Sequence, residues 1–107
     1  MKALSRMREQ PKFQPGGLYL GCRDEQHRLH LEGAVNALVD RINAGLPNNP
    51  TKSYVLSEFN FLLNTFVSED TEERERVCGY LEQIMDCVGI ESSEGLLNNW
   101  MYGFDPK

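Results

Sequence analysis

Histidine occurs only twice in these 107 residues, tryptophan once and cysteine three times. Each scarcity closes off some chemistry. Cys22, Cys78 and Cys87 are odd in number and form no CxxC pair, so neither a disulfide framework nor a zinc ribbon is written here. Cys78 and Cys87 fall in one predicted helix, roughly 13 Å apart along its axis, too far for a disulfide. Reduced thiols fit a cytoplasmic protein. No apolar run approaches the roughly 20 residues of a membrane-spanning helix. The first nine residues lack the apolar stretch of a signal peptide. There is no phosphate-binding glycine loop, dinucleotide-binding glycine pattern, HExxH or serine elbow. A basic recognition helix is missing as well. The expectation is a protein that is not an enzyme and takes no cofactor, metal or nucleic acid.

What is present is ordinary for a globular chain: 40% hydrophobic and 25% charged residues, enough apolar material to exclude chain-wide disorder. The net charge of −5 is unevenly spread. Residues 1–30 carry six basic and three acidic side chains, whereas residues 31–107 carry five basic and thirteen acidic. An acidic body repels phosphate backbones and attracts basic proteins.

The pattern of apolar residues and breakers predicts an all-α fold. Four main helices, at about 24–44, 50–67, 71–88 and 93–102, form a compact bundle behind an irregular N-terminal strap. Residues 1–16 read as a basic N-terminal tail and 17–107 as a single helical domain. Pro11, Pro15, Gly16, Gly17 and Gly21 interrupt regular structure, with Leu18, Tyr19 and Leu20 lying over the core as the strap. Asp24 caps the first helix, whose stripe is Leu31, Val35, Leu38 and Ile42. Gly45 stands at its end as a C′ residue. Asn49 and Pro50 open the second helix, with Val55, Phe59, Leu62, Leu63 and Phe66 inward. Asp70 and Glu73 have the spacing of a capping box for the third, whose stripe is Val77, Leu81, Ile84, Met85 and Val88. Gly89 ends it. Ser92 or Ser93 caps the short fourth helix, which carries Leu96, Leu97, Trp100 and Met101.

The run from Glu73 to Pro106, and above all its ending Trp100-Met101-Tyr102-Gly103-Phe104-Asp105-Pro106, resembles a small bacterial family catalogued as domain of unknown function 4844. The resemblance extends from Gly17 over about four-fifths of the chain. It implies a bacterial, all-helical small protein and assigns no activity to any residue.

Several groups are candidates for function. Between Glu69 and Glu94 stand nine carboxylates and two arginines. Glu72, Glu75, Gly79, Glu82 and Asp86 fall on the polar side of the third helix and form the expected partner-binding face. Gly79 costs about 1 kcal/mol relative to alanine in an exposed helix interior, which a close-packed neighbour would explain. Trp100, Tyr102 and Phe104 make a candidate aromatic patch, since tryptophan and tyrosine dominate binding hot spots. Cys22 with His27 and His30 is the one grouping from which a small enzyme or metal site could be assembled. Tyr54 and Phe61, two helical turns apart, offer a face for self-association.

The expected function is protein binding of the immunity or inhibitor type, with the acidic helix occluding a basic toxin or enzyme. The alternatives are a self-associating structural or regulatory adaptor, and a small enzyme or metal binder around Cys22 and His27. The expected state is a cytoplasmic monomer or homodimer without membrane attachment.

Overall fold

Among the described residues the main helices are α1 (Lys2–Glu9), α2 (Glu25–Gly45), α3 (Lys52–Phe66) and α4 (Thr71–Val88). The computed structural model describes residues 2–16, 21–97 and 100, and among these no element is a strand. Helix α1 lies against α2 and α4, and α2, α3 and α4 pack on one another as an all-α bundle.

The apolar stripes of α2, α3 and α4 are buried as their spacing predicts. Leu31, Val35, Leu38 and Ile42 line the inner face of α2, and Val55, Phe59, Leu62, Leu63 and Phe66 that of α3. From α4 come Val77, Leu81, Ile84 and Met85, while Val88 is half-buried. The Asp24 cap holds, its carboxylate accepting from the His27 N–H at 2.7 Å. Gly89 takes the left-handed conformation at φ 79°, and the N–H of Ile90 closes back on the Met85 carbonyl at 2.9 Å.

Three helix ends differ from the sequence reading. Helix α3 is capped by Thr51 rather than Asn49, its hydroxyl accepting from the Tyr54 N–H at 3.1 Å. The capping box at α4 does not form: Asp70 stands at the cap position without a side-chain bond, and Glu73 is buried. Gly45 is the last residue of α2, not a left-handed residue beyond it. A glycine is needed there because the Tyr54 hydroxyl occupies the space of a Cβ, donating onward to the Arg41 carbonyl at 2.9 Å.

The largest correction concerns the N-terminus. Residues 2–9 are a helix rather than a loose tail, with Leu4 and Met7 in the core. Eight residues are too few for a stable isolated helix. Tertiary contacts supply what propensity does not. The Lys12 side chain folds back with its ammonium donating to the carbonyls of Met7 (2.7 Å), Gln10 (2.9 Å) and Arg8 (3.2 Å). It thereby caps the C-terminal end of α1, where a cation is favoured. Lys12 is only 1% exposed, and burial pulls its pKa down while Glu32 pulls it up. Next to it Phe13 adopts φ 60°, a left-handed conformation that costs roughly 1–2 kcal/mol for a non-glycine residue. Its ring is fully buried, stacked on Phe66 at 5.9 Å and edge-on to Tyr80 at 5.1 Å. Its N–H donates to the Tyr80 hydroxyl at 2.8 Å. Phe13 fills part of the core, and Leu18, Tyr19 and Leu20, which the sequence placed over it as a strap, lie outside the described residues.

The fourth predicted helix, 93–102, lies partly outside them too. Leu96, Leu97 and Trp100 are helical, Leu97 is buried, and its N–H reaches the Ser93 hydroxyl at 3.4 Å.

Candidate functional site: the acidic face of α4

Glu72, Glu75, Gly79, Glu82 and Asp86 follow one another at spacings of three, four, three and four, which keeps them on one stripe of a helix. The four carboxylates of that stripe are exposed. None takes part in the ion pairs that join other acidic side chains to basic ones. Acidic groups elsewhere are differently placed. Asp40 pairs with Arg8 (3.0 Å), Glu32 with Arg28 (3.0 Å), Glu58 with Arg41 (3.2 Å) and Glu94 with Lys52 (2.6 Å). Glu25 also pairs with Arg28, and Glu69 with His27 at 2.8 Å. Negative charge is thus compensated over much of the molecule and left open on α4.

Gly79 sits midway along this stripe. Apart from its own chain neighbours and helix backbone, no described atom comes within 4 Å of where its Cβ would stand, so the close-packed neighbour suggested by the sequence is not among the described residues. The missing side chain instead leaves an open hollow of ≈ 350 Å³ lined by Glu75, Arg76, Gly79, Tyr80 and Gln83. Tyr80 is fixed at its edge by the hydrogen bond from Phe13. The hollow adjoins the acidic stripe, and its lining carries one carboxylate, Glu75, and one cation, Arg76.

Of the other sequence candidates, Cys22 with His27 and Tyr54 with Phe61 are not assembled into sites. Trp100 is half-buried, with the Arg74 guanidinium 4.6 Å from its ring centre and donating to its carbonyl at 2.8 Å. Tyr102 and Phe104 lie outside the described residues. Tyr54 is turned inward to Gly45 and Arg41, so it shares no open aromatic face with Phe61. Phe61 is 63% exposed, with the Arg41 guanidinium 5.0 Å from its ring centre.

His27 is buried, and both ring nitrogens are engaged. Nδ1 accepts from the Arg23 N–H at 3.3 Å, so Nε2 carries the proton and donates to Glu69 at 2.8 Å. No lone pair is left for a metal or for a Cys22 thiol proton, whereas His30 is exposed. Among the described residues no group of three or more His, Cys, Asp or Glu side chains could hold a metal ion. Burial pushes the Cys78 thiol up to about 11, and Cys87 is raised for the same reason, with Asp86 adding to it. Such thiols are poor nucleophiles at neutral pH.

Sequence reading also missed a groove of ≈ 580 Å³ between the start of α3 and the end of α4. Leu46, Val55, Val88 and Ile90 give it an apolar floor, and Thr51, Lys52 and Ser92 a polar edge. Nothing local announces it, because its walls come from segments some forty residues apart.

The architecture and this face define a small all-α protein with an exposed acidic stripe on α4. The model of the family described as "Domain of unknown function (DUF4844)" matches residues 1–105, and the chain belongs to that family. The match takes in α1 as well as the region from Gly17 onward. Among solved structures, the chain is similar to a DUF3571 family protein from Acinetobacter baumannii AYE, with a TM-score of 0.82 and 34% identity over 95% of this chain and 87% of that one. No curated protein matches. No helix among the described residues is long and apolar enough to cross a membrane.

Proposed function

We propose that this protein is a cytoplasmic protein-binding module of the immunity or inhibitor type, and that the exposed face of α4 takes a basic protein such as a toxin or enzyme. The observation that carries the reading is the contrast in pairing. Glu72, Glu75, Glu82 and Asp86 stand exposed on one stripe, while five other carboxylates are matched with cations. Four like charges along one helix repel one another at some cost. A basic partner would relieve that repulsion and gain association rate from it. Catalysis by the protein itself forms no part of this reading, since His27 is committed at both nitrogens and two of the three thiols are held protonated.

The test is capture from a lysate of the host with the tagged protein, at low and at high salt, beside a variant carrying Glu75→Lys, Glu82→Lys and Asp86→Lys. The expected result is one basic protein retained in equal amount, released at high salt and lost with the variant, whose circular dichroism stays helical. A partner that is retained equally by the variant, and at high salt, places binding elsewhere and ends this reading.

A further inference from the structure

The groove between the start of α3 and the end of α4 has a chemistry of its own. Four aliphatic side chains, Leu46, Val55, Val88 and Ile90, make its floor, and no aromatic ring among the described residues lines it. Its volume of ≈ 580 Å³ lies within the span of small-molecule sites, roughly 300–1,000 Å³. Among the described residues its one cation is Lys52, half-buried at the edge, and its one anion is Glu91, which is exposed. We propose that this groove binds an unbranched aliphatic monocarboxylate, a free fatty acid of medium length. Its chain lies on the aliphatic floor and its carboxylate on the Lys52 ammonium.

The head group follows from what Lys52 already holds. Its ammonium carries a carboxylate, that of Glu94 at 2.6 Å, and Glu94 is not part of the groove lining. The protein's own anion therefore reaches Lys52 from outside the groove. The Glu94 side chain is 71% exposed, and an ion pair so open to water is weak. Exchanging that carboxylate for a ligand's keeps the charge pairing at little cost. Lys52 is also the more sheltered of the two charges in the lining, so its field is the less screened. Glu91 opposes a second carboxylate, which turns the groove against dicarboxylates. The side chains of the floor offer no hydrogen bond. That suits methylenes and not a peptide, whose amides would lose water without a replacement.

The test is a methyl NMR titration of the full chain with hexanoate, octanoate and decanoate, each kept below the concentration at which it forms micelles. The methyl signals of Leu46, Val55, Val88 and Ile90 should shift together and saturate. The Kd should fall about two- to fourfold for each methylene added, as burial of part or all of a CH₂ requires. Octanol and octanedioate should each bind about fivefold or more weakly than octanoate. Lys52→Met should remove the preference for octanoate over octanol and leave the affinity for octanol within about twofold. Glu94→Gln takes away the competing carboxylate, so it should tighten octanoate about threefold or more and leave octanol unchanged. That second variant decides the matter should Lys52→Met disturb the start of α3. Groove methyls that do not shift, or shift without saturating, overturn the proposal. So does equal binding of octanol and octanoate, or an octanoate affinity that ignores both variants.

Discussion

Two glycines on different helices show how the same residue type answers to opposite demands. Gly45 is required by a neighbour: a methyl group there would meet the Tyr54 hydroxyl and ring. Gly45→Ala should destabilise the protein by about 1–3 kcal/mol, the usual cost of overpacking. Tyr54→Phe, which drops only the bond to Arg41, should cost about 0.5–1.5 kcal/mol. Urea melts of the two variants and of the double variant check this, because relieving the clash in the double variant should make the two costs non-additive. Gly79 has no such neighbour. Gly79→Ala should therefore stabilise the fold by about 0.5–1 kcal/mol, read as a raised melting midpoint. A variant that is more stable yet binds its partner less well would connect the hollow to recognition. Cys78 adds a pH dependence at this scale. Its folded pKa of about 11 lies above the ordinary value of 9.0, so its contribution to stability is present in full below pH 9. That contribution is lost as pH climbs from 9 through about 11. Unfolding midpoints between pH 8 and pH 11 should decline less steeply in Cys78→Ala than in the parent protein.

At the scale of the element, the end of α1 is closed by a single side chain. Lys12 offers three protons to three carbonyls that the short helix cannot satisfy by itself. Lys12→Met keeps the length and apolar stem but takes that donor from the Arg8 and Gln10 carbonyls, while the Met7 carbonyl keeps the Gln10 N–H. The expected loss is roughly 1–3 kcal/mol for burying unsatisfied groups. Amide exchange should place that loss first in residues 2–9, with α3 protected as before. Helix α4 shows how far an element can be read from its own residues. Its apolar stripe, its length and its glycine end were all legible, because each is set by local spacing and backbone freedom. Its N-terminal cap was not. Asp70 and Glu73 had the right spacing, but Glu73 is buried and the Asp70 side chain makes no cap bond. Packing outbid a local hydrogen bond that is worth about 1 kcal/mol.

At the scale of the whole molecule, the charge that the sequence placed after residue 30 is sorted by folding into paired and open groups. Pairs such as Arg8 with Asp40 and Lys52 with Glu94 join residues 32 and 42 positions apart. No spacing rule reaches that far, so the sequence marked α4 as acidic without showing which acidic groups elsewhere would be drawn into ion pairs. If that stripe is the docking surface, raising ionic strength should slow association far more than it speeds dissociation, which stopped-flow binding with the captured partner would show. The alternatives built on Cys22 with His27, and on Tyr54 with Phe61, were also drawn from residues close in the chain. Folding separated their functional groups by giving His27 to Glu69 and Tyr54 to Gly45 and Arg41.

By itself the sequence determined that the protein is all-α, that α2, α3 and α4 lie where they do, and which of their residues face inward. Those features follow from a 3.6-residue period and from residues that start or stop a helix, and both act within a few positions. Only the tertiary structure decided that residues 2–9 are a helix, that Lys12 and Phe13 belong to the interior, and that His27 is a fastening rather than a ligand. Each of these rests on partners distant along the chain or on a buried hydrogen bond. The Phe13 ring, for one, meets Phe66 and Tyr80. Their energy exists only once α2, α3 and α4 have already come together.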